Sequence, residues 1–271
     1  MSHFATIAGL NTHYHHAGSG PALFLLHGQL PGSTAAIEFA STVDHFARAG
    51  YSVYAPDLAG YGLTDNPTDF AIEARIAHAR AFIDFVNPDR YAIWGCSMGT
   101  YIGASIALAD PRVERLVIMP SNVLPPQAAP RDPARPTVGA VVQEYTPTFE
   151  NARALLSLVL VNRDQLTNEL VQQFCEASSG KNAEAERQRR LAPRPPSLYG
   201  ELHRLTIPSL LIWGADDPSA TPERGLAMLH LMRNAEMHVL QQCGHWPQRD
   251  RRARTFRLVE DFLRAPSHAQ S

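Results

Sequence analysis

Three short segments, far apart in the chain, carry side chains able to do nucleophilic chemistry. Gly95-Cys96-Ser97-Met98-Gly99 has the form G-x-S-x-G, Trp213-Gly214-Ala215-Asp216-Asp217 ends in two carboxylates, and Cys243-Gly244-His245-Trp246 places a histidine in a glycine loop. A serine hydroxyl is a weak nucleophile near neutral pH. It needs a base within hydrogen-bond reach and a third group to orient that base. The order serine, aspartate, histidine therefore reads as nucleophile Ser97, orienting acid Asp217 and general base His245. Asp216 competes with Asp217, but only one of the pair can face the imidazole, and the other is left to accept hydrogen bonds from loop N–H groups. Taken singly, each segment has a plainer reading: a small-residue turn, a surface histidine, a helix cap. The three together, in this order and each after a predicted strand, favour the chemical one.

Attack on a carbonyl also creates an oxyanion that must be held. A strand-to-helix turn leaves free N–H groups at the helix start, so the Met98 amide is one expected donor. The second is expected from the loop His27-Gly28-Gln29-Leu30-Pro31-Gly32, with Gln29 as the donor.

These residues need a frame, and the apolar runs supply one. Leu23–Leu26, Tyr51–Ala55, Tyr91–Trp94, Val113–Met119, Ser209–Trp213 and Glu236–Leu240 read as strands. Between them, helical spacing covers about Ala36–Ala49, Asp69–Phe85 and Met98–Ala109, with a last helix over about Arg251–Leu263. Strands alternating with helices predict an α/β fold with a mostly parallel sheet covered on both faces, and ligands in such sheets bind at the carboxyl ends of strands. The alternation breaks after Pro120: a proline- and alanine-rich stretch is followed by a purely helical pattern from Phe149 to about Leu191. We read residues 1–122 and 200–271 as two parts of one core and residues 123–199 as an inserted helical cap, because neither flank alone completes a sheet.

With 271 residues, 45% of them hydrophobic, and a net charge of -2, the chain can bury a large core and offers no electrostatic attraction for nucleic acid or an anionic membrane. A small-molecule substrate is the expected partner, and a homo-oligomer is left open. Cys96, Cys175 and Cys243 lack zinc-type spacing, and no signal-like or membrane-length apolar segment occurs, so reduced thiols in the cytoplasm are expected. Neither a metal nor a cofactor is expected. His13, His15 and His16 alternate like metal ligands but lie on a predicted hairpin strand with no acidic neighbour, His13 and His15 on one face and His16 on the other. Gly60-Tyr61-Gly62 lacks the rest of a dinucleotide fingerprint, and Arg187, Arg189 and Arg190 read as a solvated helix face.

Over nearly its whole length the chain resembles the α/β-hydrolase superfamily. Within it, His27-Gly28 with Pro31-Gly32, Gly95–Gly99, Trp213–Asp217, Cys243–Trp246 and the stretches Thr148–Asn151 and Leu166–Val171 are similar to the meta-cleavage product hydrolases, which cleave carbon-carbon bonds in ring-opened aromatic catabolites. The resemblance implies a substrate site that includes Gly28, Leu30, Cys96, Phe174 and Trp246. That family carries asparagine before the nucleophile, where this chain has Cys96, and a cap arginine where Phe174 stands; both help bind an anionic dienoate. Their replacement points to a smaller, largely apolar ester or lactone, with carbon-carbon cleavage as the alternative and a small-molecule receptor built on a hydrolase pocket as the third reading. Serine at the elbow, rather than aspartate, sets the chain apart from haloalkane dehalogenases and epoxide hydrolases.

Overall fold

The computed structural model describes residues 1–121 and 138–265. Eight strands form one sheet in the order β1-β2-β4-β3-β5-β6-β7-β8. The strands are β1 (Ser2–Ile7), β2 (Leu10–Ala17), β3 (Ala22–Leu26), β4 (Ser52–Pro56), β5 (Tyr91–Gly95), β6 (Val113–Ile118), β7 (Ser209–Gly214) and β8 (Ala235–Leu240). β1 and β2 form an antiparallel hairpin laid antiparallel on β4, and every pairing beyond β4 is parallel.

The parallel strands are apolar along their length because both sheet faces are covered. Alternate side chains divide between two cores: Leu23, Leu25, Trp94, Val117, Leu210 and Ile212 enter one, while Phe24, Leu26, Ile93, Leu116, Leu211 and Trp213 enter the other. The first is closed by α1 (Ala35–Arg48) and α10 (Arg252–Arg264); the second by α2 (Ile72–Val86), α3 (Met98–Ala107) and α8 (Pro222–Leu229). A short α9 (Pro247–Asp250) precedes α10.

Between β6 and β7 lie α4 (Val138–Gln143), α5 (Phe149–Val159), α6 (Asn168–Ala177) and α7 (Lys181–Leu191), with 3₁₀ turns at Arg163–Gln165 and Tyr199–Arg204. The helical reading of 149–191 thus resolves into three helices, and α5 and α6 each start on a threonine, Thr148 and Thr167, whose hydroxyl accepts a first-turn N–H. The expected start of the insertion at residue 123 lies outside the described residues. α2 begins three residues later than its spacing predicts, since the Asp69 carboxylate accepts the Ala71 N–H at 2.8 Å and holds a turn there. α8 and α4 were not anticipated, each being too short to display a helical period.

Register fixes what the sheet does for the site. Leu26 of β3 lies opposite Gly95 of β5, Gly95 opposite Ile118 of β6, and Gly214 of β7 opposite Leu240 of β8. The loops bearing Gly28, Ser97, Asp217 and His245 therefore leave the sheet along one rim.

Candidate active site at the carboxyl rim of the sheet

Ser97 joins β5 to α3 with φ 53° and ψ -113°, a backbone state that a side chain adopts only where its surroundings enforce it. The enforcement comes from its neighbours in the pentapeptide. A Cβ on Gly99 would lie 1.9 Å from the Leu26 carbonyl oxygen, and one on Gly95 would lie 2.5 Å from the Gly99 carbonyl. Only hydrogen at both positions lets α3 press onto the ends of β3 and β5. The Thr100 hydroxyl donates to the Gly95 and Met119 carbonyls, pinning the first turn. In a run of buried residues, Ser97 is the one left half-buried.

His245 is held from both sides. Its Nδ1 lies 2.7 Å from Asp217 Oδ2, and the other Asp217 oxygen accepts the Ser219 and Ala220 N–H groups at 2.7 and 3.0 Å. Its backbone N–H donates to the Val159 carbonyl, so the end of α5 braces the histidine loop. Burial works against a charged imidazole, yet the adjacent Asp217 carboxylate, with a further contribution from Glu38, outweighs it and raises the His245 pKa above the ordinary value. Asp216 takes the other part expected of the pair: it is exposed and accepts the Cys243 N–H at 3.2 Å.

Ser97 and His245 line one cavity of about 150 Å³ together with Gln29, Leu30, Met98, Val138, Val142 and Ser219. Among the described residues no hydrogen bond closes between Ser97 and His245; a looser contact of this kind is common before substrate arrives. A larger hollow, of about 570 Å³, lies between α1 and α10, away from Ser97. Among the described residues lining the Ser97 cavity there is no lysine or arginine.

Two buried groups that the sequence reading passed over shape this rim. Glu38, on α1, accepts the Gly28 N–H with both carboxylate oxygens at 3.0 Å and the Ser33 hydroxyl at 2.6 Å, which fixes the loop carrying Gln29. Its signal was available, for Glu38 falls on the same helical stripe as buried Ala35 and Thr42, where a charge needs a reason. Asp250, on α9, accepts the N–H groups of Gly244, Val161 and Asn162 and so ties the histidine loop to the end of α5. Nothing in the local sequence marks it.

His27 locks the same loop in a defined tautomer. The Leu58 N–H donates to its Nε2 at 2.9 Å, so Nδ1 bears the hydrogen and donates to the Gly28 carbonyl at 2.8 Å. Complete burial favours this neutral form and lowers its pKa.

A family model described as the alpha/beta hydrolase family matches residues 23–258. The chain belongs to this family. The 2-hydroxy-6-oxononadienedioate/2-hydroxy-6-oxononatrienedioate hydrolase of Burkholderia vietnamiensis is 34% identical, over 94% of this chain and 91% of that protein. Among solved structures, a meta-cleavage product hydrolase from Pseudomonas fluorescens superposes with a TM-score of 0.85 at 28% identity, covering 96% of this chain and 97% of that one. An esterase from Exiguobacterium antarcticum shares the fold, with a TM-score of 0.82 at 19% identity over 98% of this chain and 100% of that one. The mostly parallel sheet and the resemblance to carbon-carbon bond hydrolases expected from the sequence both stand.

Within this family frame the remaining expected substrate residues divide. Leu30 lines the cavity, and Gly28 lies against Ser97, a Cβ there being 3.2 Å from the Ser97 Cβ. Cys96, Phe174 and Trp246 are fully buried and do not line it. The Cys96 thiol packs behind the elbow, 3.8 Å from Gln248 Nε2, and burial pushes its pKa well up. Phe174 of α6 packs on the backbone of Gly32 and edge-on to Tyr145. The arginines of α7 correct the expectation of a solvated face. Arg187 pairs with Glu184 at the surface, but the buried Arg189 bonds Glu186 and the Gly60 carbonyl and stacks 3.8 Å above the Tyr61 ring, and Arg190 bonds Glu186 and the Gln143 carbonyl. All three guanidinium groups are engaged away from Ser97.

Proposed function

We propose that this chain is a serine hydrolase of small, neutral acyl compounds, esters or lactones. The observation that carries the reading is the cavity shared by Ser97 and the Asp217-bound His245, whose described lining offers no cation to an anionic substrate. A substrate carboxylate there would also approach the buried Glu38 charge behind Gly28. Desolvating that carboxylate without a partner is expensive, whereas a neutral ester loses little against Leu30, Met98, Val138 and Val142.

In this reading Ser97 Oγ attacks the carbonyl carbon while its proton passes to His245 Nε2. Asp217 holds the imidazole with Nε2 toward the cavity and steadies the imidazolium that forms. The carbonyl oxygen becomes an oxyanion facing the Met98 and Gln29 amides. His245 returns the proton to the leaving alkoxide, and a water deprotonated by the same imidazole releases the acid. Short p-nitrophenyl esters and lactones, assayed against wild type and Ser97→Ala, test this: turnover should vanish with the hydroxyl, and turnover that survives the substitution refutes the reading.

The relatives favour a second reading, carbon-carbon hydrolysis of a ring-opened dienoate. The same machinery would serve, but the leaving fragment is a carbanion equivalent and the substrate an anion. Consumption of such a dienoate faster than of any ester or lactone would establish this reading over the first.

A further inference from the structure

The molecule contains a second series of hydroxyl, imidazole and carboxylate, about which the rim chemistry says nothing. Ser2 Oγ on β1 lies 2.6 Å from His13 Nε2 on β2, and His13 Nδ1 lies 2.8 Å from Asp57 Oδ2, just beyond β4. His13 and Asp57 are both buried. The Asp57 carboxylate is anchored as Asp217 is, accepting the Ala35 N–H at 2.9 Å and the Leu63 N–H at 3.1 Å. Burial alone would raise its pKa, but the bonds from His13 and the Ala35 N–H together with the nearby His27 hold it below the ordinary carboxylate value, so it is ionised and acts only as an acceptor. His13 Nδ1 must then carry the hydrogen. In the neutral ring Nε2 is left to accept from the Ser2 hydroxyl, the state a general base needs.

This series borders a cavity of about 450 Å³, lined by Ser2, His13 and His15 on the hairpin side, by the first turn of α1, and by Gln173 and Asn182 of the inserted helices. Two of the lining residues carry a buried polar atom with no hydrogen-bond partner among the described residues, His15 Nε2 and Asn182 Oδ1. The Ala36 amide, in the first turn of α1, has no intrahelical acceptor and also lies at this cavity. No lysine or arginine lines it, so a neutral electrophile fits better than an anion.

We propose that Ser2 is a second nucleophile of this protein, activated by His13 and Asp57, that takes the acyl or phosphoryl group of a small neutral ester from the cavity between the N-terminal hairpin and α6 and α7. Ser2 Oγ forms the new bond to carbon or phosphorus as its proton moves to His13 Nε2. The bond to the leaving group breaks, and the leaving group departs with that proton. Water then hydrolyses an acyl adduct, while a phosphonyl adduct persists.

The test uses the full-length Ser97→Ala protein and a neutral alkyl fluorophosphonate, with the site of modification read by mass spectrometry. The expected result is an adduct on Ser2, formed at least tenfold faster than on the exposed Ser19 and slowed at least tenfold by adding His13→Gln. Circular dichroism and thermal melting establish that the His13→Gln protein is folded. Because Ser97 is absent, the outcome does not depend on the rim reading. A Ser2 adduct no faster than that of Ser19, or one indifferent to His13→Gln in a folded protein, overturns the proposal; the first of these needs no change in the hairpin at all.

Discussion

The rim and the N-terminal hairpin hold the same three side-chain types in the same sequence of contacts, and they differ in which contact is closed. At the hairpin both bonds are made, 2.6 Å from Ser2 to His13 and 2.8 Å from His13 to Asp57. At the rim only His245 to Asp217 is made, at 2.7 Å, and Ser97 stands apart. Yet Ser97 is the residue held at positive φ, between a strand and a ten-residue helix, with the Met98 amide beside it. Ser2 sits on an edge strand in ordinary extended chain. The strain at a position like Ser97 costs roughly 1–3 kcal/mol and persists only where the surroundings enforce it. Assembling a carboxylate and an imidazole is thus the easier part of such a site. Presenting the oxygen on a strained turn at a helix start is the harder part, and of the two serines Ser97 alone has that setting. The rim should turn over substrate, and the hairpin should capture an electrophile slowly.

The harshest test of that contrast is Ser97→Ala. We expect kcat/KM on a responsive ester to fall by about 10⁴-fold or more, as when a nucleophile is removed from an intact triad. A steady-state assay with active-site titration measures it. A fall of less than tenfold would mean that the hairpin, or another site, carries the turnover.

Asp217→Asn comes next. An asparagine in this place permits the wrong imidazole tautomer, and we expect a loss of about 10³–10⁴-fold. The pH profile adds a sign. His245 is competent as base only when neutral, so activity falls as pH drops through its pKa, which Asp217 raises. Removing the negative charge leaves burial, which favours the neutral ring. The acid limb of kcat/KM should therefore move to lower pH in the variant even as the plateau drops.

How far the chain disclosed this rim depends on the kind of information each residue carries. Ser97, His245 and Asp217 were legible because glycine-flanked turns after apolar runs have a local signature, and a parallel sheet must bring strand ends to one edge. The choice of Asp217 over Asp216 was legible only as an alternative, since burial decides it and burial is a property of the folded loop. Cys96, Phe174 and Trp246 were expected in the pocket because a family resemblance supplies neighbours without depth; all three are buried and absent from the described lining of the Ser97 cavity. His13 was weighed only as a metal ligand, because its partners Ser2 and Asp57 are 11 and 44 residues away. Contacts of that range leave no local pattern.

Glu38→Gln tests whether the loop carrying Gln29, the proposed oxyanion donor, is as deliberately fixed as the elbow. The carboxylate accepts from one N–H and one hydroxyl, and an amide nitrogen in place of an oxygen would oppose a donor. We expect kcat to fall about 10- to 100-fold, short of the 10²–10³ that accompanies loss of an oxyanion donor itself. Thermal unfolding should show a loss of about 1–3 kcal/mol, the cost of leaving a buried donor unsatisfied. An effect on KM alone would instead place Glu38 in substrate binding.

The smallest expected effect belongs to Asp216→Asn, and it separates position from mere charge. Asp216 is adjacent to Asp217 in sequence, so a site that needed only a carboxylate near the histidine would feel its loss. Its side chain is exposed, where water screens its field, and its one described bond accepts the Cys243 N–H at 3.2 Å, a role an asparagine oxygen can keep. We therefore expect kcat/KM within about threefold of wild type, stability within ~0.5 kcal/mol, and an acid limb that does not move. A downward shift like that of Asp217→Asn would show that the two carboxylates share the imidazole. In that case the hairpin, where a single anchored carboxylate serves His13, would be the more sharply defined of the two assemblies.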